Sequence, residues 1–117
     1  MKKFNFPAGQ RLKLRNDFKE VFRSAKKLAT PEITLLYKPT DKQQPRLAIV
    51  VSKKLGIAVE RNRIKRLIRE FFRLNKHKLA DCDIILYPKN RVSFPDLITT
   101  QRVMVKVFTD AGIYKND

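Results

Sequence analysis

The segment from residue 57 to residue 75 constrains the fold of this chain more than any other part of the sequence. Its apolar residues recur at i, i+3, i+4 and i+7, which is the spacing of one face of an α-helix. They are Ile64, Leu67, Ile68 and Phe71. Because another element must cover such a stripe, the rest of the chain has to supply an apolar surface. The pattern predicts an amphipathic helix over residues 57–75 that packs on a sheet.

The face of this predicted helix opposite to the apolar stripe is cationic. Its side chains and those at its flanks are Arg61, Asn62, Arg63, Lys65, Arg66, Arg69 and Arg73. One acid, Glu70, stands among them. A solvated helix usually mixes the two signs of charge, since like charges at i and i+4 repel each other. A guanidinium holds a phosphate with two hydrogen bonds and stacks on bases, so the pattern favours a nucleic-acid contact over a merely solvated face.

The charge of the whole chain points in the same direction. Its 117 residues include 27 Lys and Arg against 11 Asp and Glu, which gives a net charge of +16. A domain this basic repels itself unless a polyanion neutralises it, and nucleic acid is the commonest such partner. The length is that of one domain, so we expect a single domain over residues 1–117. Pro7 and Gly9 predict an irregular, basic segment over residues 1–14.

Three further apolar segments predict strands, at residues 33–37, 46–52 and 83–87. The first two are close in sequence, so we expect them to pair as an antiparallel hairpin. The second is almost wholly apolar, which is typical of a buried central strand.

Two shorter helices complete the predicted order of elements. Residues 16–25 begin with the capping pair Asn16-Asp17, and a last helix opens at residues 93–96 and ends near Gly112. Helices and strands in this order predict the α+β class, with a small mixed sheet packed with helices.

The residues that hydrolytic enzymes need are not clustered in the sequence. His77 is the one histidine and stands between two lysines, where we expect it only to complement a helix dipole. Asp81 and Asp83 have no further acid or histidine nearby and are interpreted as loop and strand-edge residues. The single cysteine, Cys82, is expected to be a small core residue. We therefore expect no catalytic residue and no metal site in this protein.

The sequence also bears on location. No long apolar run follows the basic start Met1–Phe4, and no stretch approaches the roughly 20 apolar residues of a membrane span. We therefore expect a cytoplasmic protein with no membrane contact and no obligate protein partner.

Three other functions share the charge and size of this chain. A ribosomal type of structural RNA-binding protein stays open on composition alone. A DNA-binding module is disfavoured because predicted strands, rather than a helix-turn-helix, precede the basic helix. A membrane-active protein would insert the apolar stripe, but the sheet needs that stripe as its core.

Residues 52–70 resemble the signature of a known family. The run Ser52-Lys53-Lys54-Leu55-Gly56, followed by the helix with Arg61-Asn62-Arg63, is similar to the signature of bacterial ribonuclease P proteins. Weaker matches at residues 11–22, 47–52 and 84–86 extend the resemblance over roughly residues 10–110.

The resemblance implies a fold and a function. The fold is an α-β sandwich with a left-handed βαβ crossover, the opposite of the usual hand. The function is that of the RNA-binding protein subunit of ribonuclease P, which binds the catalytic ribonuclease P RNA and the 5′ leader of precursor tRNA. Removal of the leader is then carried out by the RNA with Mg²⁺, and the protein itself binds no cofactor.

The resemblance also implies two sets of contact residues. Those for the RNA subunit are Arg61, Asn62, Arg63, Lys65, Arg66 and Arg69. Those for the leader-binding cleft, which lies between the first helix and the sheet, are Phe18, Phe22, Tyr37, Ser52, Lys53 and Lys54.

Some of these positions depart from the family or allow two interpretations. Ile57 stands where the family usually has Asn, and Leu36 stands where it often has a cleft aromatic, with Tyr37 adjacent. From the residues alone, Phe18 and Phe22 at i and i+4 fit either a buried helix face or a platform on which bases stack.

Overall fold

The apolar stripe of the basic helix is covered by a four-stranded sheet. A computed structural model of the chain describes residues 23–40 and 43–115. The strands are β1 (Lys26–Ala29), β2 (Ile33–Pro39), β3 (Arg46–Ile49) and β4 (Cys82–Pro88). The helices are α1 (Ala58–Asn75) and α2 (Leu97–Asp110), with short 3-10 turns at Lys53–Leu55 and Lys76–Lys78.

The order of strands in the sheet is β1-β2-β4-β3. Strand β4 is antiparallel to β2 and parallel to β3, so β3, α1 and β4 form a βαβ unit. The predicted hairpin of residues 33–37 and 46–52 is therefore wrong, because β4 lies between these two segments. The mixed sheet and the α+β class are confirmed, whereas the left hand of the crossover stays a prediction.

The central position predicted for residues 46–52 is also wrong, since β3 is an edge strand. Every residue of β4 except Tyr87 is buried. A central strand has a neighbour on each side, so this apolar strand is best shielded from water in the central position. Residues 46–52 have less apolar surface to bury. Strand β3 begins with the charged Arg46, and Val50, just after the end of β3, is 39% exposed.

The helices pack on one face of the sheet. The predicted helix over residues 57–75 is confirmed as α1, which buries Ile64, Ile68, Phe71 and also Phe72. Helix α2 packs against α1, with the rings of Phe71 and Phe108 5.9 Å apart between centroids. This helix-side core includes Ile33, Leu35, Ile84 and Leu86, all fully buried. On the reverse face of the sheet, Ile85 is surrounded by Ala25, Leu36, Ala48 and Tyr87.

The predicted limits of the last helix are confirmed. Asp96 caps α2, because its carboxylate accepts a hydrogen bond from the Thr99 amide at 2.8 Å. The helix ends at Asp110, two residues before Gly112, whose φ of 78° lies in the left-handed region. The Ile113 amide donates a hydrogen bond back to the Phe108 carbonyl at 3.0 Å.

On the N-terminal side of the chain, the structure differs from the elements predicted from the sequence. Strand β1 was not predicted, because Lys26–Ala29 has no apolar run; its two lysines are typical of an edge strand. Of the helix predicted over residues 16–25, Arg23 and Ser24 are helical and Ala25 is not. Phe18, Phe22 and the predicted irregular segment 1–14 lie outside the described residues.

Candidate nucleic-acid interface

The turn after β3 presents two lysines to solvent. The Ser52 hydroxyl accepts a hydrogen bond from the Lys54 amide at 3.1 Å, which caps the 3-10 turn Lys53–Leu55. Leu55 is buried in the helix-side core, whereas Lys53 and Lys54 are exposed. The buried leucine therefore anchors the turn, and both ammonium groups lie on the surface.

Gly56 joins this turn to α1 through a conformation that favours glycine. Its φ is 128°, and a Cβ at this position would collide with the Glu60 carboxylate. The Glu60 carboxylate accepts a hydrogen bond from the Ile57 amide at 3.2 Å, which holds the residue before α1 against the first turn of the helix. Lys53, Lys54 and the first turn of α1 are thereby held next to each other.

The cationic face of α1 is presented to solvent. Asn62, Arg66 and Arg69 are exposed, and Lys65 is half-buried. Arg73, further along the helix, pairs with Glu70 through a contact of 2.6 Å. The Arg73 hydrogen bond lowers the pKa of the Glu70 carboxyl, so this acid stays charged and partly neutralises the far end of the face. Positive charge is therefore concentrated toward the N-terminal half of the helix.

Arg61 and Arg63 make contacts within the protein that a helical wheel does not show. The Nε of Arg61 donates to the Gly56 carbonyl at 3.1 Å. The guanidinium of Arg63 donates to the carbonyls of Phe94, at 3.3 Å, and Pro95. Arg63 thus ties α1 to the loop that precedes α2, in addition to the RNA contact predicted for it.

Strands β3 and β4 are parallel, so their carboxyl ends meet at one edge of the sheet. β3 leads into Ser52–Lys54, and β4 leads into a loop with Lys89 and Arg91. An open groove of about 640 Å³ lies between these loops and the start of α1. Lys89 and Arg91 were not singled out in the sequence, although two cations directly after an apolar strand and Pro88 were a usable signal.

Tyr37 and Leu36 lie on opposite faces of the sheet. Tyr37 packs against the helix-side core, whereas Leu36 lies on the reverse face beside Ile85. Tyr87 is an aromatic residue that does lie on the reverse face, and burial raises the pKa of its hydroxyl. Tyr87 was not predicted there, although the alternation along β4 places it on the same face as Ile85.

Two of the residues considered for chemistry in the sequence, Cys82 and Asp83, are buried in β4. Burial raises the pKa of the Cys82 thiol, as fits the predicted core position. Asp83 lies at the start of β4, as the sequence predicts, but it is buried there and forms two hydrogen bonds of 2.8 Å with Arg46. His77 is exposed in the turn Lys76–Lys78. Within residues 23–40 and 43–115, no helix is long and apolar enough to cross a membrane.

Comparison with known proteins decides the family. The model of the ribonuclease P family matches residues 6–112. The chain belongs to the ribonuclease P protein family. As such it is the protein subunit of a tRNA-processing endonuclease made of RNA and protein, and its partner is RNA.

Individual relatives agree over most of the chain. It is 46% identical to the ribonuclease P protein component of Pseudoalteromonas translucida over 93 residues, which are 79% of this chain and 66% of that one. It is 40% identical to the component of Haemophilus influenzae over 109 residues, 92% of each chain. The solved ribonuclease P protein of Staphylococcus aureus superposes with a TM-score of 0.80 at 30% identity, covering 91% of this chain and 98% of that one.

Proposed function

We propose that this ribonuclease P protein binds the catalytic RNA through the cationic face of α1 and the 5′ leader of precursor tRNA beside it. The RNA cleaves the leader with Mg²⁺, in the cytoplasm, and the whole chain acts as one RNA-binding domain. The observation that carries the proposal is the continuity of two basic surfaces across Gly56. One is the turn with Lys53 and Lys54, and the other is the exposed face of α1.

The contact with the RNA subunit is assigned to the first two thirds of α1. Asn62, Arg66 and Arg69 are exposed there. Arg61 and Arg63 remain in the proposal, since a guanidinium has five N–H groups and the bonds to backbone carbonyls use only some of them. Lys65 completes the set at the edge of the face. Guanidinium groups about one helical turn apart suit the phosphates of a folded RNA.

The contact with the leader is assigned to the wall formed by Ser52, Lys53 and Lys54. The Ser52 hydroxyl is partly used as a cap, so its main effect is to fix the two lysines. Phe18 and Phe22 enter the proposal on the family resemblance alone. Tyr37 also enters the proposal on the resemblance alone. It packs on the helix side of the sheet, whereas the resemblance places the cleft at the face of Leu36.

The protein assists the reaction electrostatically in this proposal. Both the RNA subunit and the substrate are polyanions, and a chain with net charge +16 between them reduces their repulsion. In the described part of the chain, no three His, Cys, Asp or Glu side chains form a group that could hold a metal ion. On the family resemblance, the donors for Mg²⁺ are assigned to the RNA.

A reconstitution at low magnesium tests the proposal. Precursor tRNA is incubated with a bacterial ribonuclease P RNA, with and without the protein. We expect the protein alone to be inert and to restore cleavage when the RNA is present. If it has no effect on the RNA, the proposal is wrong and a general RNA-binding role replaces it. If it cuts without RNA, the assignment of catalysis to the RNA is wrong.

A variant in the same experiment tests the assigned face. Charge reversal at Arg66 and Arg69 should weaken binding of the RNA subunit and lower its salt slope by roughly two units, one for each lost phosphate contact. The matched control reverses Arg102 and Lys115, two exposed cations outside α1. Equal effects of the two double variants would show that only net charge matters.

A further inference from the structure

The groove at the carboxyl ends of β3 and β4 has basic residues on both sides. Lys53 and Lys54 line one side, and Lys89 and Arg91 line the other. All four side chains are exposed. Two exposed apolar side chains, Ile57 at 68% and Val92 at 81%, also border it. Cations next to apolar surface suit a single strand of RNA, whose phosphates and unstacked bases are both accessible.

The loop that carries Lys89 and Arg91 is held in place by hydrogen bonds. The Lys89 amide donates to the Glu32 carbonyl at 2.9 Å. The Asn90 side chain accepts from the Ser93 amide at 2.9 Å and donates to the Pro31 carbonyl at 3.3 Å. Because the backbone is fixed in this way, little ordering of the loop is needed when a ligand binds.

Arg91 is paired in the free protein with Glu60, the one acid among the described residues that line the groove. Its Nη1 lies 2.5 Å from Oε1 of Glu60, and the two side chains are 56% and 42% exposed. Ion pairs this exposed are weak, and a phosphate offers the guanidinium the same pair of oxygens as a carboxylate. A phosphate in the groove would therefore compete directly with Glu60.

We propose that Arg91 exchanges the Glu60 carboxylate for a phosphate of single-stranded RNA lying between Lys53–Lys54 and Lys89–Arg91. Glu60 thereby lowers the affinity of the groove, while its hydrogen bond to the Ile57 amide keeps the start of α1 in place. The inference rests on the proposed function, because the RNA strand that this site would take is the leader. It adds to that site an acid, Glu60, that tunes its affinity through Arg91.

The test measures binding of the full chain to a fluorescein-labelled single-stranded RNA of about ten nucleotides, by anisotropy over a series of salt concentrations. Glu60→Gln removes the charge but keeps an amide oxygen for the Ile57 amide. We expect it to tighten binding about threefold to tenfold. Asp110→Asn is the matched control, since it also removes one acid from an exposed ion pair, that with Lys106 on α2. It should change affinity less than about twofold.

Arg91→Gln completes the cycle. It should weaken binding and lower the salt slope by about one unit. The double variant Glu60→Gln/Arg91→Gln should bind like Arg91→Gln alone, because Glu60 acts through Arg91. Thermal melts of each variant confirm that the fold is retained.

Three results would overturn the exchange: equal gains from Glu60→Gln and Asp110→Asn, an unchanged salt slope for Arg91→Gln, or additive effects in the double variant. The reconstitution keeps this test separate from that of the proposed function. If the wild-type protein fails to restore cleavage, the proposed function is wrong. If it restores cleavage while the Arg91 and Glu60 variants bind like the control, only the exchange is wrong.

Discussion

At the scale of single residues, the first turn of α1 lacks a side-chain cap. Ile57 occupies the N-cap position and has no side-chain acceptor for the first amides of the helix. It is also 68% exposed, so it gains little from burial. Only the reverse bond, from the Ile57 amide to Glu60, is made. The first turn of α1 therefore lacks the side-chain cap that an Asn at this position would supply.

Replacing Ile57 by Asn should stabilise the protein by about 1 kcal/mol, because the new side-chain oxygen would accept a hydrogen bond from a free amide of the first turn. The free energy of unfolding in urea measures this. Ile98→Asn is the control, since Ile98 is 66% exposed but lies inside α2, after the cap Asp96. A gain of equal size in the control would mean that the removal of exposed apolar surface, and not capping, is responsible.

Residue-level roles were predictable only where they depend on local sequence. The core position of Cys82 follows from the apolar residues next to it and is confirmed. The face on which Tyr37 lies depends on the strand register, where a shift of one residue reverses every side chain. The hydrogen bonds of Arg63 join it to residues about 30 positions away, which no helical wheel includes.

At the scale of elements, the parallel pairing of β3 with β4 contains a nearly buried ion pair. Arg46 and Asp83 are directly opposite each other in the register and share two hydrogen bonds of 2.8 Å. Their side chains are almost completely covered. Removal of the Asp83 carboxylate would take two charge-assisted hydrogen bonds from the buried Arg46 guanidinium, which is costly.

Asp83→Asn should therefore destabilise the protein by about 3 kcal/mol. Asp81→Asn is the control: it removes the same charge two residues away, at an exposed position just before β4, and should change stability by less than about 0.5 kcal/mol. Denaturant unfolding of both variants checks this. Similar losses in the two would mean that the Arg46 pair contributes no more than an ordinary surface acid.

Elements with strong periodicity were predictable, and their arrangement was not. The limits predicted for α1 agree with Ala58–Asn75 to within one residue, since its stripe repeats over several turns. The hairpin was expected because residues 33–37 and 46–52 are close in sequence. The structure instead places β4 between them, since Ile84, Ile85 and Leu86 need cover on both faces. Sequence proximity carries no information about such a long-range insertion.

At the scale of the whole molecule, the net charge of +16 acts in two opposite ways. In the free protein, cations concentrated around α1 and the groove repel each other and lower the stability of the fold. In the complex, the same cations replace the counterions of RNA and supply much of the affinity. Salt screens both interactions, so the two properties should respond to it with opposite signs.

Raising KCl from about 20 to about 200 mM should raise the melting temperature of the free protein and weaken its binding to RNA. Circular-dichroism melts and anisotropy titrations in the same buffers measure the two responses. The variant with Arg66 and Arg69 reversed to Glu has a lower net charge, so both its gain in melting temperature and its loss of affinity should be smaller. If the wild-type melting temperature instead falls with salt, exposed attractive pairs such as Arg91–Glu60 outweigh the repulsion. The net positive charge would then not lower the stability of the free protein.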